Sequence, residues 1–287
     1  MSLYPSAVPV RATHRSAALL RSCHPEPTLA VTVFVTALAA ASGRGASGTA
    51  AVAAAVLAGQ LSVGWCNDAV DAARDTAAGR PDKPVAAGAL SPRTVAVAAT
   101  AALLVCVPLS LLSGVPAALA HLTGVVAGGW AYNLALKRTR LSPLPYAVGF
   151  ASLPAFVTLG LPGHPWPAWW AVVTSALLGV GAHGLNVLPD IEDDLAAGVR
   201  GLPQRLGALL SRRLALAVLL AAVAVVTLGP PGAPGTSGWA CAAAAVCAAA
   251  AGTVPRWREG GRWPFRAAVV AAGMVVAQLM IRGGELV

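Results

Sequence analysis

Apolar residues run through this chain in long blocks that hold almost no charge, and the polar residues collect between the blocks. The blocks lie near 28–42, 46–64, 94–112, 116–136, 144–161, 166–188, 209–228, 239–254 and 264–281. Each approaches the roughly 20 residues that an α-helix needs to cross a bilayer. The first and eighth are short, so the pattern predicts nine crossings with eight as the alternative. Connections alternate in character. SGVP, LPGHP and GPPGAPGTSG are tight and uncharged apart from one histidine, whereas the intervening connections are longer and carry the charges. Glycine and proline mark the boundaries. The expected fold is all-α and polytopic, with a lead-in at 1–27 and one membrane domain over 28–287.

Composition closes off the soluble alternative. The chain is 57% apolar and 11% charged, against about 25% charged residues in ordinary soluble domains. Too little polar surface remains to cover a water-facing core. Every Lys and Arg except Arg44 and Arg282 falls in the N-terminal segment or after blocks two, four, six and eight. The positive-inside rule then places the N-terminus and those loops in the cytoplasm, with the C-terminus outside the cell membrane. The net charge of +9 follows from this topology, so a nucleic-acid partner is not expected. Residues 10–22, with Arg11, Arg15 and Arg21, suit an amphipathic helix in the interface, and nothing before Arg21 has the apolar length of a cleavable signal. The five cysteines are odd in number, lack a CxxC and sit in apolar segments, which predicts free buried thiols. His183 is expected to pack through a hydrogen bond.

Eight of the eleven acidic residues occupy two places. Asp68, Asp71, Asp75 and Asp82 follow block two; Asp190, Glu192, Asp193 and Asp194 follow block six. Asn67-x3-Asp71-x3-Asp75-x-Ala-Ala-Gly79 recurs as Asn186-x3-Asp190-x3-Asp194-x-Ala-Ala-Gly198, at a constant offset of 119 residues. Two related halves therefore end a span with the same polar ladder. On a continuing helix, positions i, i+4 and i+8 stack along one face. Carboxylates there oppose the helix dipole and repel each other by a few tenths of a kcal/mol per pair. Neutralising one ladder acid should therefore cost the metal-free protein little. Hard divalent cations are the natural partners: Mg2+ binds through one or two carboxylates and completes its shell with water and phosphate oxygens.

Basic residues adjoin both ladders. GRPDKPVAAG supplies Arg80 and Lys83, WAYNLALKRTR supplies Tyr132, Lys137 and Arg138, and GVRGLPQRLG supplies Arg200 and Arg205. Carboxylates holding metal, ringed by Arg and Lys, would clamp a diphosphate. Arg205 also has a plain reading as a positive-inside charge. Asn186 opens the second ladder and joins the candidate diphosphate ligands.

NDAVDAARD followed by PDKPVAAG, YNLALKR, and DIEDD followed by GVRGLPQRLG together resemble the UbiA superfamily of intramembrane prenyltransferases over essentially the whole chain. The resemblance implies nine helices around a cavity opening laterally to lipid, capped by two Asp-rich loops. It implies Mg2+-dependent binding of a polyprenyl diphosphate and transfer of the prenyl group to an acceptor, typically aromatic. Carried over residue by residue, Asn67, Asp68, Asp71 and Asp75 would hold one metal, and Asp190 and Asp194 another. Lys83, Lys137 and Arg138 would steady the diphosphate, and Asp71, Asp190, Lys137 and Tyr132 would be the central catalytic set. Trp65, Tyr132, Phe150 and Phe156 could face an allylic cation, although packing is the commoner role for each. Two departures stand out. Lys83 occupies a position where Arg is usual, which loses a bidentate fork; Gly201 replaces a common hydroxyl residue. A terpene cyclase or a polyprenyl-phosphate phosphoribosyltransferase would share these motifs. A cation transporter fits less well, since the acids sit at span ends beside phosphate-type partners. A CDP-alcohol phosphotransferase is excluded by Ala72 and Arg74, which do not fit its first motif.

Overall fold

A computed structural model describes residues 12–251 and 263–287. All regular elements among them are helical. In chain order they are α1 (Ala12–Arg21), α2 (Pro25–Ala41), α3 (Gly45–Ala77), α4 (Pro92–Leu111), α5 (Val115–Leu119), α6 (Gly128–Leu134), α7 (Leu144–Thr158), α8 (Trp169–Val187), α9 (Ile191–Ala196), α10 (Leu202–Leu228), α11 (Gly235–Ala251) and α12 (Trp263–Ile281). A π-helical stretch, Ala120–Ala127, joins α5 to α6. Among the described residues, each apolar block predicted from sequence lies mostly in helix. By length and composition, four helical stretches among the described residues are long and apolar enough to cross a membrane unaided: Gly45–Ala77, Pro92–Leu111, Trp169–Ala196 and Leu202–Leu228.

Local chemistry sets several boundaries. Ser91 caps α4 by accepting from Thr94 N at 3.1 Å, and Pro92 opens the helix where its missing N–H costs nothing. Sequence-adjacent helices pack against each other, and α12 returns to pack on α2, so the bundle closes into a ring. Its largest core joins Val52 and Val56 of α3, Phe156 of α7, Trp170 of α8 and Leu219 of α10. Small residues permit close approach: a Cβ on Gly179 would lie 2.3 Å from the carbonyl oxygen of Tyr146. Leu104 and Leu112 of the α4 region are 68% and 69% exposed, which suits a lipid-facing surface and not a water-facing one. An apolar cavity lies where the ring closes, lined by Val31, Phe34, Phe150, Leu178, Val276 and Leu279.

Four expectations change. The second ladder does not continue one straight helix: α8 ends at Val187, Leu188–Asp190 form a 3-10 turn, and α9 restarts at Ile191. Pro189 causes the break, because it cannot donate to the helical ladder and its ring crowds the carbonyl four residues back. The block at 209–228 begins earlier, with a kink at Gly207 (φ 77°). The lead-in α1 does more than lie in an interface. Trp65 Nε1 donates to Leu19 O at 2.8 Å, and Ala18 and Leu19 pack against Ala72, Val85 and Leu90 beside the first ladder. Among the cysteines, Cys23, Cys66 and Cys106 are buried, but Cys241 is only partly so and Cys247 is exposed. Arg11 and the arginines between α11 and α12 lie outside the described residues.

Candidate active site

The first ladder occupies the last turns of α3, where Asp68, Asp71 and Asp75 are 2%, 3% and 5% exposed. The helix stops at a Schellman cap. Gly79 takes φ 63°, its N–H donates to Thr76 O at 3.1 Å, and Arg80 N donates to Asp75 O at 3.1 Å. The second ladder ends identically: Gly198 takes φ 77°, Gly198 N donates to Leu195 O at 3.1 Å, and Val199 N donates to Asp194 O at 2.8 Å. The left-handed cap position favours glycine because it has no Cβ to clash. The repeated Ala-Ala-Gly is thus the folding signal shared by both halves, and it survives the break at Pro189.

Each ladder carboxylate meets a basic group of the protein itself. Lys137, buried in the 3-10 turn Leu136–Arg138, donates to Asp71 Oδ1. Burial pulls the Lys137 ammonium below its ordinary pKa, and Asp71 opposes that pull. Lys83 Nζ donates to Asp68 Oδ1 at 2.8 Å, and His24 Nε2 lies 3.1 Å from the same oxygen. His24 reaches it from the turn before α2 with φ 54°, an uncommon value for a residue with a side chain. Arg80 Nη1 contacts Asp190 Oδ1 at 3.2 Å while its Nε and Nη2 fork onto Asp82. That fork lowers the Asp82 pKa and raises that of Arg80. Gln204 Nε2 donates to Asp194 Oδ2 at 2.8 Å.

Arg74 joins the two ladders. Its Nη2 donates to Asp71 Oδ2 at 2.9 Å, its Nε lies 3.5 Å from Asp75 Oδ1, and its Nη1 lies 3.3 Å from Asp194 Oδ1. Asn67 Nδ2 donates to Asn133 Oδ1 at 3.0 Å, and Asn133 in turn donates to Val63 O. Arg138 and Arg200 are exposed and form no ion pair among the described residues. Arg205 is exposed too, with Nε donating to Arg200 O at 2.8 Å. Asn186 is exposed and faces Tyr146.

An aromatic group adjoins the acids. Tyr132 stands edge-on to Tyr146 at 5.1 Å and to His183 at 5.6 Å between ring centroids, and it lies near Asp71 and Asp194. His183 Nε2 lies 3.1 Å from Ser142 Oγ, which accepts from Leu202 N; the expected packing role for this histidine is what the geometry shows. Gly201 sits tightly here: a Cβ would fall 2.6 Å from Lys137 O. A hydroxyl side chain at 201 would displace the turn that carries Lys137. Phe156 is fully buried and stacked on His121, so it packs. Phe150 lines the apolar cavity.

The ladder side chains are oxygen donors suited to a hard divalent cation, and Asp68 Oδ2 is buried without a partner. In this arrangement no three His, Cys, Asp or Glu side chains converge as a ligand group among the described residues, because the carboxylates are turned to Lys83, Arg74, Lys137 and Arg80. By donor type the set fits Mg2+, and its use as one ligand group would require those ion pairs to open. Arg74, His24, Tyr146 and Gln204 were not anticipated from sequence. Only Arg74 carried a local signal, since it stands three residues after Asp71 and beside Asp75.

The features above define a class: an integral membrane protein whose apolar bundle carries a buried acidic and basic centre at one end. Residues 29–277 match the model of the UbiA prenyltransferase family, and the chain belongs to that family. It is 30% identical over 188 residues to the bacteriochlorophyll synthase 33 kDa chain of Cereibacter sphaeroides, a match covering 60% of this chain and 60% of that relative's length. A UbiA homologue from Archaeoglobus fulgidus, solved bound to GPP and Mg2+, superposes with a TM-score of 0.69 at 16% identity, covering 93% of this chain and 98% of the other. A UbiA homologue from Aeropyrum pernix K1 superposes with a TM-score of 0.64 at 22% identity, covering 95% and 98%.

Proposed function

We propose that this protein transfers a prenyl group from an allylic prenyl diphosphate to an acceptor, most simply an aromatic ring, inside the membrane and releases diphosphate. One observation carries the reading: a single guanidinium, that of Arg74, touches carboxylates of both ladders. The two acidic segments are therefore walls of one site. The GPP and Mg2+ bound to the A. fulgidus homologue support the choice of donor and metal.

In this reading Asn67, Asp68, Asp71 and Asp75 hold Mg2+ on one wall, and Asp190 and Asp194 hold it on the other. When bound, the metal supplies positive charge to the diphosphate oxygens. Lys83, Arg80, Lys137, Arg138, Arg200 and Asn186 orient the diphosphate from the rim. The allylic C–O bond breaks with its electron pair leaving on the diphosphate, and Lys137 favours that departure electrostatically. Tyr132 presents a π face to the cation that forms. The acceptor's electron pair makes the new bond to carbon, and a proton leaves the acceptor. The apolar cavity between α2, α7, α8 and α12 receives the prenyl tail and keeps water away. The loops bearing these residues face the cytoplasm.

The test uses purified protein in detergent with Mg2+ and dimethylallyl, geranyl, farnesyl or geranylgeranyl diphosphate. Diphosphate release should require an acceptor and should stop in excess chelator. Hydrocarbon products without acceptor would replace this reading with a terpene cyclase. Full turnover in chelator would remove the metal.

A further inference from the structure

The internal repeat fails at one telling position. Asn67, Asp71 and Asp75 each find an identical residue 119 positions later, whereas Asp68 is matched by Val187 and Arg74 by the opposite charge of Asp193, which is exposed. Arg74 is only partly exposed, at 25% for the side chain, and its three guanidinium nitrogens are divided among Asp71, Asp75 and Asp194. These are three of the carboxylates proposed above as metal ligands. Asp71 keeps Lys137 as a second partner and Asp194 keeps Gln204. Asp75 has no ion-pair partner other than Arg74 among the described residues. Asp194 has no ion-pair partner besides Arg74 either.

We infer that Arg74 is a built-in counterion that joins the two acidic segments and competes with the divalent cation for Asp71, Asp75 and Asp194. It is a positioning residue, and the inference rests on the metal-dependent reading of the site. A planar fork spreads five donors over three nitrogens and so spans three separated carboxylates, whereas an ammonium offers all its donors from one atom. The same contacts compete with metal: a lone pair given to a guanidinium is not given to a cation, and the carboxylate is held in the orientation that suits Arg74. A divalent ion arriving beside a fixed positive charge is also repelled, even at the dielectric constant of water. Metal binding should therefore loosen the Arg74 fork from the acids. Removing the guanidinium should tighten metal binding while loosening the apo site, the opposite of what loss of a merely structural contact would do.

The test measures Mn2+ binding, from the spectroscopic signal of the free ion, to wild type, Arg74→Gln and Arg74→Lys in detergent without any prenyl substrate. Arg74→Gln should bind Mn2+ about tenfold more tightly or better, with Arg74→Lys falling between it and wild type. In chelator, Arg74→Gln should melt lower than wild type, and saturating Mn2+ should raise its melting temperature by more than it raises that of wild type. Equal or weaker Mn2+ affinity in Arg74→Gln would overturn the role of Arg74 and leave the metal reading intact. Arg74→Lys, which keeps the charge, gives the same comparison should Arg74→Gln not fold. Absence of Mn2+ binding by all three proteins would overturn both.

Discussion

At the scale of the residue, the ion pair between Asp71 and Lys137 changes an expectation built on charge repulsion alone. Spacing along α3 makes the ladder look like a set of mutually repelling acids, so neutralising one should cost little. In the fold Asp71 and Lys137 are 3% and 5% exposed and bonded to each other. Asp71→Asn would leave a buried ammonium short of its counterion, and breaking such a pair costs about 3–5 kcal/mol. Asp71→Asn should therefore lower the melting temperature in chelator, and adding Lys137→Met should recover much of the loss. An additive double mutant would show that the two side chains do not depend on each other. Turnover reports separately: Asp71→Asn and Asp190→Asn should each lower it by orders of magnitude, and their combination should be only slightly worse, since groups acting on one step are not additive. Multiplicative losses would mean that the two walls act on different substrates. The acids, Lys137 and Arg80 were legible because repeat spacing and local basic runs name them. His24 and Tyr146 were not, because each reaches the site from a distant stretch of chain, and Gln204 was passed over because the basic residues of GVRGLPQRLG drew the reading to Arg200 and Arg205.

At the scale of the element, length of apolar run located the helices well, since backbone groups in lipid must bond within the helix. Internal irregularities were harder to read. Pro189 is plain in the sequence, yet the matched spacing of the ladders argued for a continuous helix, and the proline won. Neither the π-helical stretch nor the kink at Gly207 has a period that announces it. What the repeat preserves across this difference is the Schellman cap. Gly79→Ala and Gly198→Ala each force a Cβ into the left-handed region, at about 1–2 kcal/mol, although open space surrounds both positions. Thermal unfolding should register that loss at either site. Gly273→Ala, inside α12 with nothing within 4 Å of the added Cβ, should be neutral or stabilising, because alanine is the better helix former. Equal behaviour of the three variants would mean that the caps do not set the ladder ends.

At the scale of the whole molecule, polar contacts sort the connections into two ends. Lys137 with Asp71, Arg80 with Asp190 and Arg74 with Asp194 bring together the segments that follow α3, α6 and α8. At the other end Arg44 donates to Ser113 Oγ at 2.8 Å, Arg282 Nη2 donates to Ala233 O at 3.1 Å, and Ala168 N donates to Leu286 O at 2.6 Å. These contacts gather the connections after α2, α4 and α10, the approach to α8 and the C-terminal turn. A bundle embedded in a bilayer cannot place such partners on opposite sides, so all members of one group share one face. The basic residues lie overwhelmingly in the first group, and by the positive-inside rule we propose that this group faces the cytoplasm. Reporter fusions beside Lys83, Arg138 and Arg200 should all read cytoplasmic, and those beside Gly114, Gly163 and Gly232 should read external. Like those at Gly114 and Gly232, the connection between α7 and α8 carries no Lys or Arg, so at Gly163 the side is set by the fold alone. A cytoplasmic signal there would mean that α7 or α8 does not cross, and the nine-crossing topology would fall with it.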